Sequence, residues 1–214
     1  MVAINFPFAD KDGVITVKYS AKLIGPHATN VPQPYVKLDR PSTSYTLSYE
    51  VFFPDGFNFV RGGKLPGLCS QKAVSGGNKQ DNDFSMRLMW RTGGNGEVYA
   101  YVPPKSQSKE YSKCCTQSDP KYGDSLGRGS FKFQTGKWNK IALSVKLNDV
   151  GKCNGSIELC HNGKKVISAD CIVYRTSNDK KIEYCMFSTF FGGSTPDWAP
   201  PTPQMAKFRN FVIQ

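Results

Sequence analysis

Apolar residues recur at every second position along much of this chain, in short runs broken by Gly, Pro, Asn and Asp. That period puts successive side chains on opposite faces of a strand, and no segment longer than ten residues sustains the 3.6-residue period of an amphipathic helix. The pattern predicts strands at 43–53, 83–91, 97–102, 138–147, 156–161, 164–169, 184–191 and 207–213. HNGK at 161–164 predicts a hairpin, because Asn-Gly accepts the positive φ values of a type I′ turn. Segments 103–130, rich in Lys, Ser, Gly and Pro, and 192–203, GGSTPDWAPPTP, read as loops. With no internal repeat, the expectation is an all-β sandwich of two antiparallel sheets forming one domain over residues 1–214.

DFSMRLMWR and EVYAYV, separated by TGGNG, are the informative pair. On the first, Phe84, Met86, Leu88 and Trp90 oppose Ser85, Arg87, Met89 and Arg91; on the second, Val98, Ala100 and Val102 oppose Glu97, Tyr99 and Tyr101. Pairing Arg91 with Glu97 puts Arg87 opposite Tyr101 and Met89 opposite Tyr99, with both polar faces on one side. A slip of one residue would bury Arg87. The register gathers a hydroxyl, a guanidinium and two phenols within about two strand spacings of ~4.8 Å. Such a cluster is a candidate site, while an ordinary solvated sheet face carries the same alternation.

Composition narrows the chemistry. The 28 Lys and Arg against 17 Asp and Glu give a net charge of +11, which suits a polyanionic partner: nucleic acid, anionic lipid or acidic polysaccharide. No run approaches the roughly 20 apolar residues of a membrane span, and MVAINFPFADKDGV lacks the pattern of a signal peptide, so a soluble, unprocessed chain or a fragment is expected. The seven cysteines (Cys69, Cys114, Cys115, Cys153, Cys160, Cys171 and Cys185) form no CxxC pair, and with two histidines they make no zinc signature. They allow up to three disulfides, or several small buried thiols. The five glutamates lack the close spacing of a glycosidase pair, and no GxSxG elbow or phosphate-binding loop is present. Lys, Arg and Tyr without paired carboxylates suit β-elimination of a uronic-acid polymer. There a cation neutralises the substrate carboxylate, a base takes the C5 proton and an acid protonates the departing C4 oxygen.

YEVFFPDGFNFVRGGKLPGL, FSMRLMWR, GEVYAYV and STFFGGSTPDWAPPT…AKFRNFVI resemble the catalytic domain of family-14 polysaccharide lyases, over roughly residues 43–213. The resemblance is strongest to algal-virus members that cleave glucuronate-containing polymers and alginate. It implies a β-jelly-roll with a concave cleft on one sheet and metal-independent cleavage to unsaturated uronate ends, with no cofactor. It places the catalytic lysine on Lys64, the Ser and Arg on Ser85 and Arg87, and the tyrosine pair on Tyr99 and Tyr101. Glycines before Lys64 and Leu-Pro-Gly after it read as a loop that leaves strand 43–53 and swings the lysine over the polar face.

In this reading Arg87 meets the substrate carboxylate, Ser85 orients by hydrogen bonding, Lys64 is the base or a further neutraliser of the carboxylate, and Tyr99 or Tyr101 is the acid or base at the leaving oxygen. Arg61, Arg91 and Lys72 are candidates for neighbouring sugar carboxylates, and Trp198 for stacking on a sugar or stapling its own loop. The expected partner is an acidic polysaccharide, with no nucleic acid, no membrane and a monomeric state. By resemblance, the protein is virion-associated or released from a lysing host cell, in degradation of algal wall. A non-catalytic lectin for acidic polysaccharides would use the same face. Nucleic-acid binding rests on charge and aromatics alone, without an RNP-like motif.

Overall fold

The computed structural model describes residues 1–119 and 121–214. Two antiparallel sheets face each other as the expected β-jelly-roll sandwich, their strands numbered here in chain order. One sheet runs β1 (Val2–Ala3), β15 (Gln204–Ile213), β4 (Ser44–Phe52), β10 (Trp138–Lys146), β11 (Gly155–His161) and β12 (Lys164–Ile172), with β2 (Ile15–Tyr19) also on β15. The other runs β3 (Tyr35–Ser42), β13 (Ile182–Met186), β5 (Gly62–Cys69), β6 (Ser85–Arg91), β7 (Gly96–Tyr101), β9 (Asp124–Leu126) and β8 (Cys115–Gln117), with β14 (Phe190–Phe191) also on β5.

The core lies between the sheets and is built from alternate residues, as a period of two requires. Leu47, Tyr49 and Val51 of β4 and Ile141, Leu143 and Val145 of β10 are buried from one side; Met86, Leu88 and Trp90 of β6 and Val98 and Ala100 of β7 are buried from the other. Each Val, Leu, Ile or Met among them contributes about 1.5–3 kcal/mol by leaving water. Trp90 is surrounded by the rings of Tyr19, Phe53, Phe57 and Phe191, with centroids 5.3–6.0 Å away, and its indole N–H donates to the Phe59 carbonyl.

Several expected strands form close to their predicted limits, and His161 pairs with Lys164 across a turn in which Asn162 and Gly163 both have positive φ. Predicted strand 184–191 is instead two short strands, β13 and β14, and excursion 103–130 contains a six-residue helix, α1 (Lys109–Cys114), before returning as β8 and β9. Cys153 and Cys171 form a disulfide between the turn before β11 and β12; the other five cysteines are free.

Two expectations need correction. Residues 62–69 are not a loop but strand β5, in the interior of its sheet between β6 and the pair β13 and β14. Its glycines are there for close approach: a Cβ on Gly63 would lie 2.0 Å from Trp90 Cζ2, and one on Gly67 would lie 2.0 Å from the Met86 carbonyl oxygen. Pro66, which has no N–H to give, sits at the register shift between Leu65 and Gly67, opposite the gap between β13 and β14. The β6–β7 register is also displaced by two residues: Arg87 pairs with Tyr99, Ser85 with Tyr101 and Met89 with Glu97. Gly93 and Gly94, both at positive φ, close the hairpin within Thr92–Gly94, and the Arg91 N–H donates to the Asn95 carbonyl at 2.7 Å. A displacement of two keeps every side chain on its expected face.

Candidate active site

Strands β5, β6 and β7 lie side by side and present three rows on the face turned away from the core. Lys64, Met89 and Glu97 form one row, Gly67, Arg87 and Tyr99 the next, and Cys69, Ser85 and Tyr101 the third. The structure thus brings Lys64, Ser85, Arg87, Tyr99 and Tyr101 onto three neighbouring strands. Lys64 arrives as a strand residue rather than from a loop.

The face is not solvated. Tyr99, Tyr101, Ser85, Met89 and Glu97 are all buried, and Val74, from the segment between β5 and β6, packs on Met89, Tyr99 and Tyr101. Lys64 is half-buried; its Nζ donates to Met89 Sδ at 2.8 Å and stands 3.5 Å from the centroid of the Tyr99 ring. Burial, with the charges of Arg87 and Arg91 nearby, holds the Lys64 amine well below the ordinary lysine range.

Arg87 is 1% exposed, and one of its nitrogens, Nη1, donates to Ser188 Oγ at 3.3 Å. Its Nε and Nη2 have no partner among the described residues, an arrangement that costs free energy unless a ligand completes it. Its guanidinium carbon lies 5.9 Å from the Tyr101 ring centroid. Tyr99 and Tyr101 meet edge to face at 5.6 Å, and each phenol oxygen accepts a backbone N–H at 3.1 Å, from Gly123 and Gly77 respectively. Burial and the neighbouring Tyr101 push the Tyr99 phenol above its usual value. Ser85 Oγ donates to the Val74 carbonyl at 2.6 Å, so its hydroxyl is turned to that segment.

The four expected flanking residues separate. Arg91 stays with the cluster: it lies 5.7 Å from the Tyr99 ring and pairs with buried Glu97, 2.6 Å away. Trp198 borders it, 5.9 Å from the Arg91 guanidinium, with its indole against Gly193, whose added Cβ would lie 2.1 Å from Trp198 Cγ. That close fit packs Trp198 against its own loop. Arg61 forms an exposed ion pair with Asp197 at 2.7 Å, and Lys72 is exposed without a charged partner among the described residues. Four contributors went unnoticed in the sequence: Arg128, which pairs with Glu97 at 2.6 Å; Ser188; and the two glycines that bond the phenols. Arg128 and the two glycines come from segments with no periodic signal, and Ser188 lies in the break between β13 and β14, inside the stretch 184–191 that reads as one strand. Among the described residues, no three His, Cys, Asp or Glu side chains gather as metal ligands.

Comparison with known proteins gives this chain a lineage. The family model for polysaccharide lyase 14 matches residues 9–211. Exolysin of Paramecium bursaria Chlorella virus 1 is 29% identical over 192 residues, covering 80% of this chain; the chain spans only 29% of that relative's length. The crystal structure of a marine PL-14 alginate lyase from Aplysia kurodai is 32% identical with a TM-score of 0.82, over 94% of this chain and 82% of that one. That of alginate lyase vAL-1 from Chlorella virus is 27% identical with a TM-score of 0.78, over 100% and 88%. A match over nearly the whole chain, on a fold that aligns as closely as this, makes the protein a member of polysaccharide lyase family 14.

Proposed function

We propose that this protein cleaves uronic-acid polymers, glucuronate-containing polysaccharide or alginate, by β-elimination. The observation that carries the reading is buried Arg87 with two unpartnered nitrogens, Nε and Nη2, beside an amine whose proton is loosely held. A guanidinium edge with Nε and Nη2 both unpartnered fits a carboxylate, and neutralising the uronate carboxylate makes its C5 proton acidic. Neutral Lys64 takes that proton, the C5–H electron pair becomes the C4=C5 bond, and the C4–O bond breaks. The leaving oxygen takes a proton from the tyrosine pair, in which Tyr99 is held protonated. Arg91, kept in place by Glu97, faces the carboxylate of an adjoining sugar. Arg61 and Lys72 act from the rim and Trp198 closes the border of the cleft. The net charge of +11 draws the polymer in.

The test is the ultraviolet absorbance of the new C4=C5 bond during incubation with glucuronan or alginate, in EDTA. It should grow with the wild-type protein and be lost in Lys64→Ala. It should fall by roughly 10²–10⁴ in whichever of Tyr99→Phe and Tyr101→Phe removes the proton donor. Polymer binding with no absorbance change in the wild-type protein would instead identify a lectin.

A further inference from the structure

Both phenol oxygens are held by loops, and both loops are fastened to a carboxylate that the chemistry above does not use. Residues 70–82 bring Gly77 to Tyr101, and the turn before β9 brings Gly123 to Tyr99, each N–H lying 3.1 Å from its phenol oxygen. Glycine is needed at both places. Gly77 has φ +83°, and a Cβ on Gly123 would lie 2.8–2.9 Å from the two tyrosine rings. Next to Gly123 stands Asp124, and two residues after Gly77 stands Lys79; they form an ion pair at 2.9 Å with side chains only 3% and 6% exposed. Asp124 Oδ1 also accepts from Ser118 Oγ and the Asp119 N–H, and Oδ2 accepts from the Tyr111 hydroxyl. Lys79 Nζ donates a second bond to the Asp119 carbonyl at 2.6 Å. Desolvation makes so buried a pair a poor source of stability, and a role in fixing one arrangement is its best-attested use.

We propose that the Lys79–Asp124 pair is a positioning latch. It holds the Gly77 and Gly123 amides on the hydroxyl oxygens of Tyr101 and Tyr99, where they stabilise the phenolate left when a tyrosine protonates the departing sugar oxygen. The inference rests on the tyrosine role proposed above. When the proton moves, the phenol O–H bond breaks and the C4 oxygen keeps the electron pair of its broken bond to bind it. The negative charge then resides on the phenol oxygen, where an N–H donor binds phenolate more strongly than phenol. The bond from Gly123 works on Tyr99 in that direction, against burial. The other charged groups on this face, Lys64 from β5, Arg87 and Arg91 from β6 and Glu97 from β7, make no hydrogen bond or ion pair with Lys79 or Asp124.

The test compares wild-type protein with Lys79→Met, Lys79→Arg and a remote control, Ile157→Val in the core of the opposite sheet. Lys79→Met should lower kcat about 10²-fold, the cost of one lost charge-stabilising donor, with KM within about two-fold. It should move the alkaline limb of the pH profile upward and release the Gly77 and Gly123 amides to hydrogen exchange. Lys79→Arg should restore all three, and Ile157→Val should lower Tm while changing none. Asp124→Asn, of the same shape, provides the same readings should Lys79→Met fail to fold. Amide exchange needs no turnover, so an inactive wild-type protein would sink the lyase reading and the phenolate role with it, while exchange still decides whether Lys79 and Asp124 hold the two amides. An active Lys79→Met with the wild-type kcat and alkaline limb, or with both amides still protected, would overturn the latch.

Discussion

Lys64 carries its charge where charge is least favoured, and that is both its use and its cost. Burial beside Arg87 and Arg91 lowers its folded-state pKa below the ordinary 10.5, so over the window between the two values the unfolded chain binds more protons. The resulting penalty is present in full below the folded value, fades as pH rises, and is absent above 10.5. Lys64→Met, which keeps the apolar stem, should therefore abolish activity yet raise Tm at neutral pH. A domain of this size gains about 2–4 °C for each kcal/mol relieved, and the gain should shrink as pH approaches 10, as calorimetry would show. The same shift shapes catalysis. Activity should climb through a pKa below 10.5, as Lys64 becomes neutral, and persist past the ordinary tyrosine value of 10.0, since Tyr99 keeps its proton longer. A kcat/KM profile flat from pH 6 to 10 would remove Lys64 as the base.

At the scale of elements, β5 decides whether there is a site at all. Its sequence, GGKLPGLC, carries hardly any strand signal, because glycine and proline are the residues strands avoid. Those glycines are set by neighbours distant in sequence: Gly63 lies against Trp90 and Gly67 against the backbone of Met86. Gly63→Ala should therefore cost about 1–3 kcal/mol through overpacking, measured by urea denaturation. Gly192→Ala, whose added Cβ would find its nearest atom 3.7 Å away, should stay within about 0.5 kcal/mol. Equal losses in the two variants would contradict this account of β5. The β6–β7 hairpin shows the complementary case. Its alternation was legible and assigned each side chain to the correct face, but alternation does not name a partner. A pair of glycines at positive φ moved Arg87 from Tyr101 to Tyr99.

For the whole molecule, charge and fold act together. A net charge of +11 and a buried cationic cluster predict that ionic strength governs substrate capture more than chemistry. Between about 0.1 and 1 M salt the screening length falls from ~10 to ~3 Å, so KM for the polymer should rise strongly while kcat changes little. A salt-insensitive KM would limit the role of long-range attraction. By itself, the sequence determined the all-β class, the limits of several strands, the separation of apolar from polar faces and the residue types suited to elimination. These follow from local periodicity and composition, which need no knowledge of what packs where. Only the tertiary structure decided that Lys64 lies on an interior strand, that Arg87 is buried with two unpartnered nitrogens, and that two glycine amides hold the phenols. Each of these depends on contacts between segments distant along the chain, where glycine and burial follow from the neighbour rather than from the pattern.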